Sequence, residues 1–355
     1  PYFIDVPKFK AGKNVSAAEV HRGGADLAGR AAPEAAAAVP EIAAAMVRLI
    51  DQIGPDSVLV IGDRLDMLPA AMATLAYNLP LIHLHGGESS EGAVDERIRH
   101  AISKLAHLHC AASVDAATRL NRMGEEAWRI HVTGAPGLDS LLAAPQLSAD
   151  ELAAELGLAA GDNFILATVH PETNVSHPFG PLDAALAALD AAPRATVITA
   201  PNADPGGAEM RTRIEDFAAA RPWVLFCDTL GARLYANAMR HAAVMLGNSS
   251  SGIVEAGLFG LPVINVGGRQ QGRACGANVH HCSADADAVG SLLAQMCDAP
   301  SVPRAARVSL YGDGQAAPRI VEVIKNQPAR EKLLVKRYSD QAAEFSPPWA
   351  EHAAA

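Results

Sequence analysis

Polar residues able to do chemistry recur at one kind of place in this 355-residue chain, directly after short uncharged apolar runs. Asp63 and Arg64 follow Ser57-Val-Leu-Val-Ile61, His85 and Glu88 follow Leu79 to Leu84, and His170 follows Phe164 to Val169. Asn202 and Asp204 follow Ala195 to Thr199, and Ser249 and Ser250 follow Ala242-Ala-Val-Met-Leu-Gly247. The last of these opens the most informative stretch, Asn248-Ser-Ser-Ser-Gly-Ile-Val-Glu-Ala-Gly-Leu-Phe-Gly-Leu-Pro-Val-Ile-Asn265. Asn248 and the serines offer N-cap oxygens, and Ile253 to Phe259 continue at helical spacing. A Ser/Gly turn at a helix N-terminus presents backbone N–H groups and the positive end of the helix dipole, which favours a phosphate. Glu255, nearly two turns into that helix, is too far along to serve the phosphate and is suited to accept hydrogen bonds from a ribose diol. Arg269-Gln-Gln-Gly-Arg273 follows the next apolar run and places guanidinium groups suited to bidentate contact with a pyrophosphate.

Each cluster taken singly has a plainer reading. The serine turn is also an ordinary capped turn, Asp63 after Gly62 a turn or helix cap, and His170 before Pro171 a turn residue. Asp95 and Glu96 complement the dipole of the helix they start, and Arg269 with Arg273 also reads as a surface basic pair. The repetition at one sheet edge carries more weight, because ligands of open α/β sheets bind at the carboxyl ends of the strands. His83, His85, His100, His107 and His109 invite a metal reading, but their spacing follows no compact ligand motif, so no metal site is predicted.

The elements that must position these residues alternate. An Ala-rich helix, Pro33 to Ile53, precedes the strand at Ser57 to Ile61; helix Leu68 to Tyr77, strand Leu79 to Leu84, helix Asp95 to Leu108, strand His109 to Ser113, helix Val114 to Gly124 and strand Ile130 to Thr133 follow. After a linker near Ala144 to Asp162 the alternation restarts: strand Phe164 to Val169, helix Pro181 to Ala191, strand Ala195 to Thr199, helix Ala208 to Ala220, strand Val224 to Cys227, helix Arg233 to His241, the serine motif, and strand Pro262 to Val266. Ala286 to Cys297 and Ala316 to Ile324 are further helices. Such alternation specifies parallel sheets covered on both faces. The fold class expected is α/β, with two doubly wound Rossmann-like domains at 1–145 and 162–310, a helix at 311–326 and a peripheral tail at 327–355. At the other end, Pro1 to Val6 reads as the end of a strand and Lys8 to Arg30 as a loop.

Hydrophobic residues at 50% and charged residues at 19% allow large cores and exclude a disordered chain. A net charge of -10 argues against a nucleic-acid or membrane partner. Five cysteines without a C-x-x-C pair indicate reduced thiols, and no signal peptide or membrane-length apolar run is present, so a cytoplasmic protein is expected.

Together these motifs resemble the UDP-N-acetylglucosamine 2-epimerase family, its hydrolysing branch in particular. The matching stretches are Pro55 to Arg64, His83-Leu-His-Gly-Gly-Glu88 with Gly92 to Ile102, Gly134 to Asp139, Val169-His-Pro171, Pro201-Asn-Ala-Asp204, Gly247-Asn-Ser-Ser-Ser-Gly252 through Glu255, and Arg269 to Arg273, in family order over Pro55 to Ile324. The resemblance implies a glycosyltransferase-B-like fold with the active site in the cleft between its domains, and no cofactor. UDP would be held mainly by the second domain, with Ser249 and Ser250 on phosphate, Glu255 on ribose, Tyr235 near uracil, Arg269 near the pyrophosphate, and Asn202 also contacting the ligand. The implied reaction removes the sugar C2 proton, eliminates UDP to a glycal and adds water, giving free N-acetylmannosamine from UDP-N-acetylglucosamine. Asp63, Asp95, Glu96 and His170 fall where the family keeps its catalytic residues; Arg64 and Arg99 would stabilise charge on departing UDP. Some members carry a catalytic Glu at the position of His85, where the nearest carboxylate here is Glu88; relatives with His there act on diacetamido-trideoxyhexose nucleotides. The family's opening strand and Gly-Thr-Arg turn have no match before Pro55, so the chain is expected to begin after them. A UDP-dependent glycosyltransferase and an inactive nucleotide-sugar binding protein are the alternatives, and a homo-oligomer, dimer or tetramer, is a family expectation.

Overall fold

The structure, a computed structural model, describes residues 32–90, 95–159, 161, 163–172, 175–202, 206–297 and 309–349. The expectations for Pro1 to Val6 and Lys8 to Arg30 lie outside the described residues, as does Asp204. The described residues form two compact units: those before Ser90, those up to Asp139 and those from Tyr311 onward make the first, and Ser90 with those from Ser140 to Leu310 makes the second.

The first unit is built on α1 (Ala32–Ile53), β1 (Val58–Ile61), α2 (Met67–Ala76), β2 (Leu81–Leu84), α3 (Asp95–Leu105), β3 (Leu108–Ala111), α4 (Val114–Arg122) and β4 (Ile130–Val132). Its strands pair in parallel in the order β1-β2-β3-β4. Right-handed crossovers between sequential parallel neighbours carry the intervening helices to one face. On that face Val60 and Leu81 meet Ala71, Ile98 and Ile102. A helix absent from the expected elements, α5 (Gly137–Ala143), follows β4.

The second unit holds α6 (Ala149–Leu156), β5 (Ile165–Thr168), α7 (Gly180–Ala191), β6 (Thr196–Thr199), α8 (Gly207–Ala219), β7 (Val224–Cys227), α9 (Gly231–His241), β8 (Val244–Gly247), α10 (Ser250–Val254), β9 (Val263–Val266), β10 (Val279–Cys282) and α11 (Ala286–Cys297). The stretch read as a linker therefore contains a helix. Ser148 and Glu151 close a capping box at its start and left-handed Gly157 ends it, local signals that were present in the sequence. The sheet order is β10-β9-β8-β5-β6-β7, all parallel. The chain leaves β5 toward β6 and β7, then returns to β8 on the other side, so β5 and β8 flank the switch point where open α/β sheets bind ligands. Gly247 ends β8 at φ +139, and a Cβ there would lie 1.9 Å from the Thr168 carbonyl oxygen, so only glycine lets the two strand ends approach.

The chain then returns to the first unit with α12 (Ala316–Lys325) and α13 (Arg330–Leu334). Ala316, Ile320 and Leu333 cover Ile82, Leu84, Leu108 and Cys110, the sheet face opposite α2 and α3. This corrects the expectation of a peripheral tail, at least through its described part. Arg129, fully buried, donates to the carbonyls of Leu333 at 3.0 Å and Val335 at 2.7 Å. Lys336 donates to the carbonyls of Lys104 at 2.8 Å and Ala106 at 2.7 Å and pairs with Glu125 at 2.7 Å. The charged tail is polar because it carries the donors and acceptors that a buried rim requires. All five cysteines are thiols, and among the described residues no helix is long and apolar enough to cross a membrane.

Candidate active site

In the first unit the side chains converge on Arg99. This residue is 2% exposed on the first turns of α3; its guanidinium pairs with Asp63, from the turn after β1, and reaches Glu96 at 3.5 Å. The second oxygen of Glu96 is 3.0 Å from His100 Nε2 and accepts from Ser89 Oγ at 3.1 Å. Asp95 stands beside Glu96 in the first turn of α3. Two carboxylates thus share one buried guanidinium, an arrangement able to hold carboxylate oxygens at fixed positions for proton transfer.

His85 and Glu88 form a second pair, with Nδ1 2.6 Å from a buried carboxylate oxygen. His85 has φ +62, a left-handed backbone that a bulky residue adopts only where its surroundings hold it, and its N–H is tied to the Cys110 carbonyl at 3.2 Å. The carboxylate at Nδ1 fixes the ring, as a carboxylate does in a catalytic triad. The neighbouring strand residue His83 locks the site from behind: its Nε2 is 2.8 Å from the Gly62 carbonyl, next to Asp63, and its Nδ1 is 3.1 Å from Ser103 Oγ on α3. Burial pushes its pKa down to about 3, so the ring is neutral. Arg64 is turned to Asp66, with Nε 3.2 Å from its carboxylate.

Each of the five histidines that invited a metal has a hydrogen-bond partner within the protein: besides those already described, His107 Nδ1 accepts the Leu81 N–H at 3.0 Å and His109 bonds buried Glu125 at 3.0 Å. Among the described residues no cluster of three or more His, Cys, Asp or Glu is arranged to hold a metal.

In the second unit the switch point gathers His170 after β5, Asn202 after β6, the serine turn after β8 and Arg269 after β9. His170 Nδ1 accepts the Asn202 backbone N–H at 2.9 Å, so the ring proton of the neutral form sits on Nε2, 3.3 Å from Ser249 Oγ. Burial, with Arg269 nearby, holds the His170 pKa down at about 3. The imidazole is therefore a fixed hydrogen-bond donor. Ser249, not Asn248, is the N-cap, and Ser250 is the first helical residue. Asn248 faces the other way: its carboxamide accepts the His170 N–H at 2.7 Å and donates to the His170 carbonyl at 2.9 Å. Ser251, also absent from the expected site, bonds Tyr235 Oη at 2.6 Å and ties it to the turn.

The helix expected to run through Phe259 is shorter. The α-turns stop at Val254, Glu255 forms the junction, and Ala256 to Phe259 are a 3₁₀ helix closed by left-handed Gly260. Gly252, Gly257 and Gly260 lower the helix propensity of the segment, which accounts for the break.

The family model described as UDP-N-acetylglucosamine 2-epimerase matches residues 19–325. The chain belongs to that family. It is 36% identical over 283 residues to the UDP-N,N'-diacetylbacillosamine 2-epimerase (hydrolyzing) of Legionella pneumophila, covering 79% of this chain and 74% of that protein. It is 32% identical over 297 residues to the UDP-N-acetylglucosamine 2-epimerase of Neisseria meningitidis serogroup B, covering 82% and 77%. The crystal structure of UDP-GlcNAc 2-epimerase from Neisseria meningitidis bound to UDP-GlcNAc superposes with a TM-score of 0.65 at 19% identity, covering 81% of this chain and 82% of that one. The structural likeness shows the fold, paired Rossmann-like units of the glycosyltransferase-B type.

Within this 2-epimerase family member, Glu255 is partly buried and burial pushes its pKa up to about 7. A ribose diol donates to a carboxylate better than to a carboxylic acid, so if Glu255 holds the ribose, as proposed below, UDP binding releases a proton. UDP affinity should rise by up to about ten-fold between pH 6 and pH 8, beyond the contribution of the nucleotide's own phosphate. Isothermal titration of the parent and Glu255→Gln checks this; equal pH dependence in the two proteins removes Glu255 from the ribose site.

Proposed function

We propose that the protein is a hydrolysing 2-epimerase of a UDP-linked 2-acetamido sugar, with UDP-N-acetylglucosamine as substrate and N-acetylmannosamine and UDP as products. The observation that carries the reading is Arg99 held between Asp63 and Glu96 in a chain whose residues 19–325 match this family. In this scheme a base removes the C2 proton, the C1–oxygen bond breaks, and UDP leaves with the bonding pair. Water then supplies hydroxyl to C1 and a proton to C2 from the opposite face, so one water is consumed per turnover. Asp63, Asp95, Glu96 and the His85–Glu88 pair are assigned the proton transfers. The His170 Nε2–H, Ser249, Ser250 and Arg269 meet the charge on departing UDP; Asn202, Tyr235 and Glu255 hold the nucleotide.

A second reading keeps this chemistry and changes the sugar to a 2,4-diacetamido-2,4,6-trideoxyhexose. Identity of 36% to the diacetylbacillosamine enzyme, against 32% to the N-acetylglucosamine enzyme, supports it. Proton NMR in deuterated water, run with each nucleotide sugar, separates the two. Free 2-epimerised sugar with deuterium at C2, appearing together with UDP, is the expected result for the true substrate. UDP binding with no C2 exchange on either sugar would instead make the protein a nucleotide-sugar binder.

A further inference from the structure

Three loops of the second unit close into a hydrogen-bonded ring. Asn248 grips both backbone groups of His170, as described above. The Asn248 carbonyl in turn accepts from Gln270 Nε2 at 2.8 Å. Beside Gln270, the backbone N–H groups of Gly268 and Arg269 both donate to one carboxylate oxygen of Glu172, at 2.7 and 2.8 Å. Glu172 lies two residues beyond His170, which completes the circuit through the ends of β5, β8 and β9. Glu172 and Gln270 are both buried. Gly267 sits at φ +83, where a Cβ would stand 2.6 Å from that same Glu172 oxygen, so only glycine admits the carboxylate at this place.

Two successive amides aimed at one point form a nest that receives an anion. Here the protein fills the nest with its own carboxylate. We propose that Glu172 is a positioning residue for the nucleotide site: by accepting both amides it sets the backbone from which Arg269 projects, and Gln270 registers that loop against His170. The proposal rests on the reading that this site binds UDP. Glu172 itself does not touch the ligand. A single oxygen accepts both N–H groups, so a glutamine oxygen in that place keeps both hydrogen bonds, with less charge assistance.

The test compares Glu172→Gln, which keeps an acceptor oxygen, with Glu172→Ala, which removes it. Ligand-free hydrogen exchange at the Gly268 and Arg269 amides should remain slow in Glu172→Gln and become fast in Glu172→Ala. UDP affinity by calorimetry should stay within about three-fold in the first variant and fall by about ten-fold or more in the second, as loss of roughly two charge-assisted hydrogen bonds implies. The KM of the nucleotide sugar should rise more than kcat falls. If Glu172→Ala does not fold, Gly267→Ala, which drives a methyl against the carboxylate, serves as the second perturbation and should expose the same two amides. Unchanged exchange and UDP affinity in Glu172→Ala overturn the proposal, as does a Glu172→Gln variant no better than Glu172→Ala. A parent protein that fails to bind UDP refutes the proposed function instead, while the exchange comparison still decides whether Glu172 holds the loop.

Discussion

Arg99→Met should reduce turnover by about 10³-fold and lower the unfolding free energy by about 3–5 kcal/mol, the cost of leaving buried charge without its partner. Arg99 is 2% exposed, whereas its partners Asp63 and Glu96 are each about a fifth exposed, so the guanidinium is the enclosed member of the group. Methionine fills a similar volume without charge, so the effect isolates electrostatics from packing. Asp63 and Glu96 would then face each other's charge, with Glu96 keeping its contacts to His100 and Ser89. One carboxylate would turn outward or take up a proton, and either change misplaces it for proton transfer. Arg99→Lys keeps the charge but lacks the planar fork needed to serve two carboxylates, so it should recover most stability and little activity. Thermal unfolding and turnover on the three proteins check this. Parental melting and parental turnover in Arg99→Met would show that the pair is incidental to the site.

Asn248→Asp should lower the unfolding free energy by about 2–4 kcal/mol and weaken UDP binding, although the two side chains differ by one amide group. Asn248 is fully buried, and its carboxamide matches the two polar groups of the His170 backbone, one accepting and one donating. A carboxylate still accepts the His170 N–H, but its second oxygen faces the His170 carbonyl oxygen across a spacing of 2.9 Å, where two acceptors repel. Protonating the introduced carboxylate restores a donor at that point. The melting difference from the parent should therefore shrink as the pH falls from 8 to 5. A pH-independent difference would place the defect in packing rather than in the donor–acceptor match, and an unchanged melting temperature would remove Asn248 as the clamp of His170.

The family resemblance names Arg99 for the site, as a group to meet the charge on departing UDP; its pairing with Asp63 links the turn after β1 to α3 and has no local signature. Asn248 and the serines all offer N-cap oxygens in the sequence; Ser249 takes that place, and the partner of Asn248 is 78 residues earlier. His83 was visible only as one more histidine until its contacts to Gly62 and Ser103 were known.

The amino-acid sequence by itself determined the alternation of short buried strands and helices, the polar groups at the strand ends, and the family, because each is written in periodicity or in residue type at fixed spacing. The tertiary structure decided the rest. Every strand of a parallel sheet is the same kind of apolar run, so nothing local says that β5 lies between β6 and β8, or that His170 and Ser249 therefore meet. Nor could composition show that the charged tail closes the open face of the first sheet, since a polar segment becomes part of a core's rim only when buried carbonyls such as those of Lys104 and Ala106 need its donors. The partner of a buried polar group is set by which loop the topology delivers beside it, and that is a property of the whole chain.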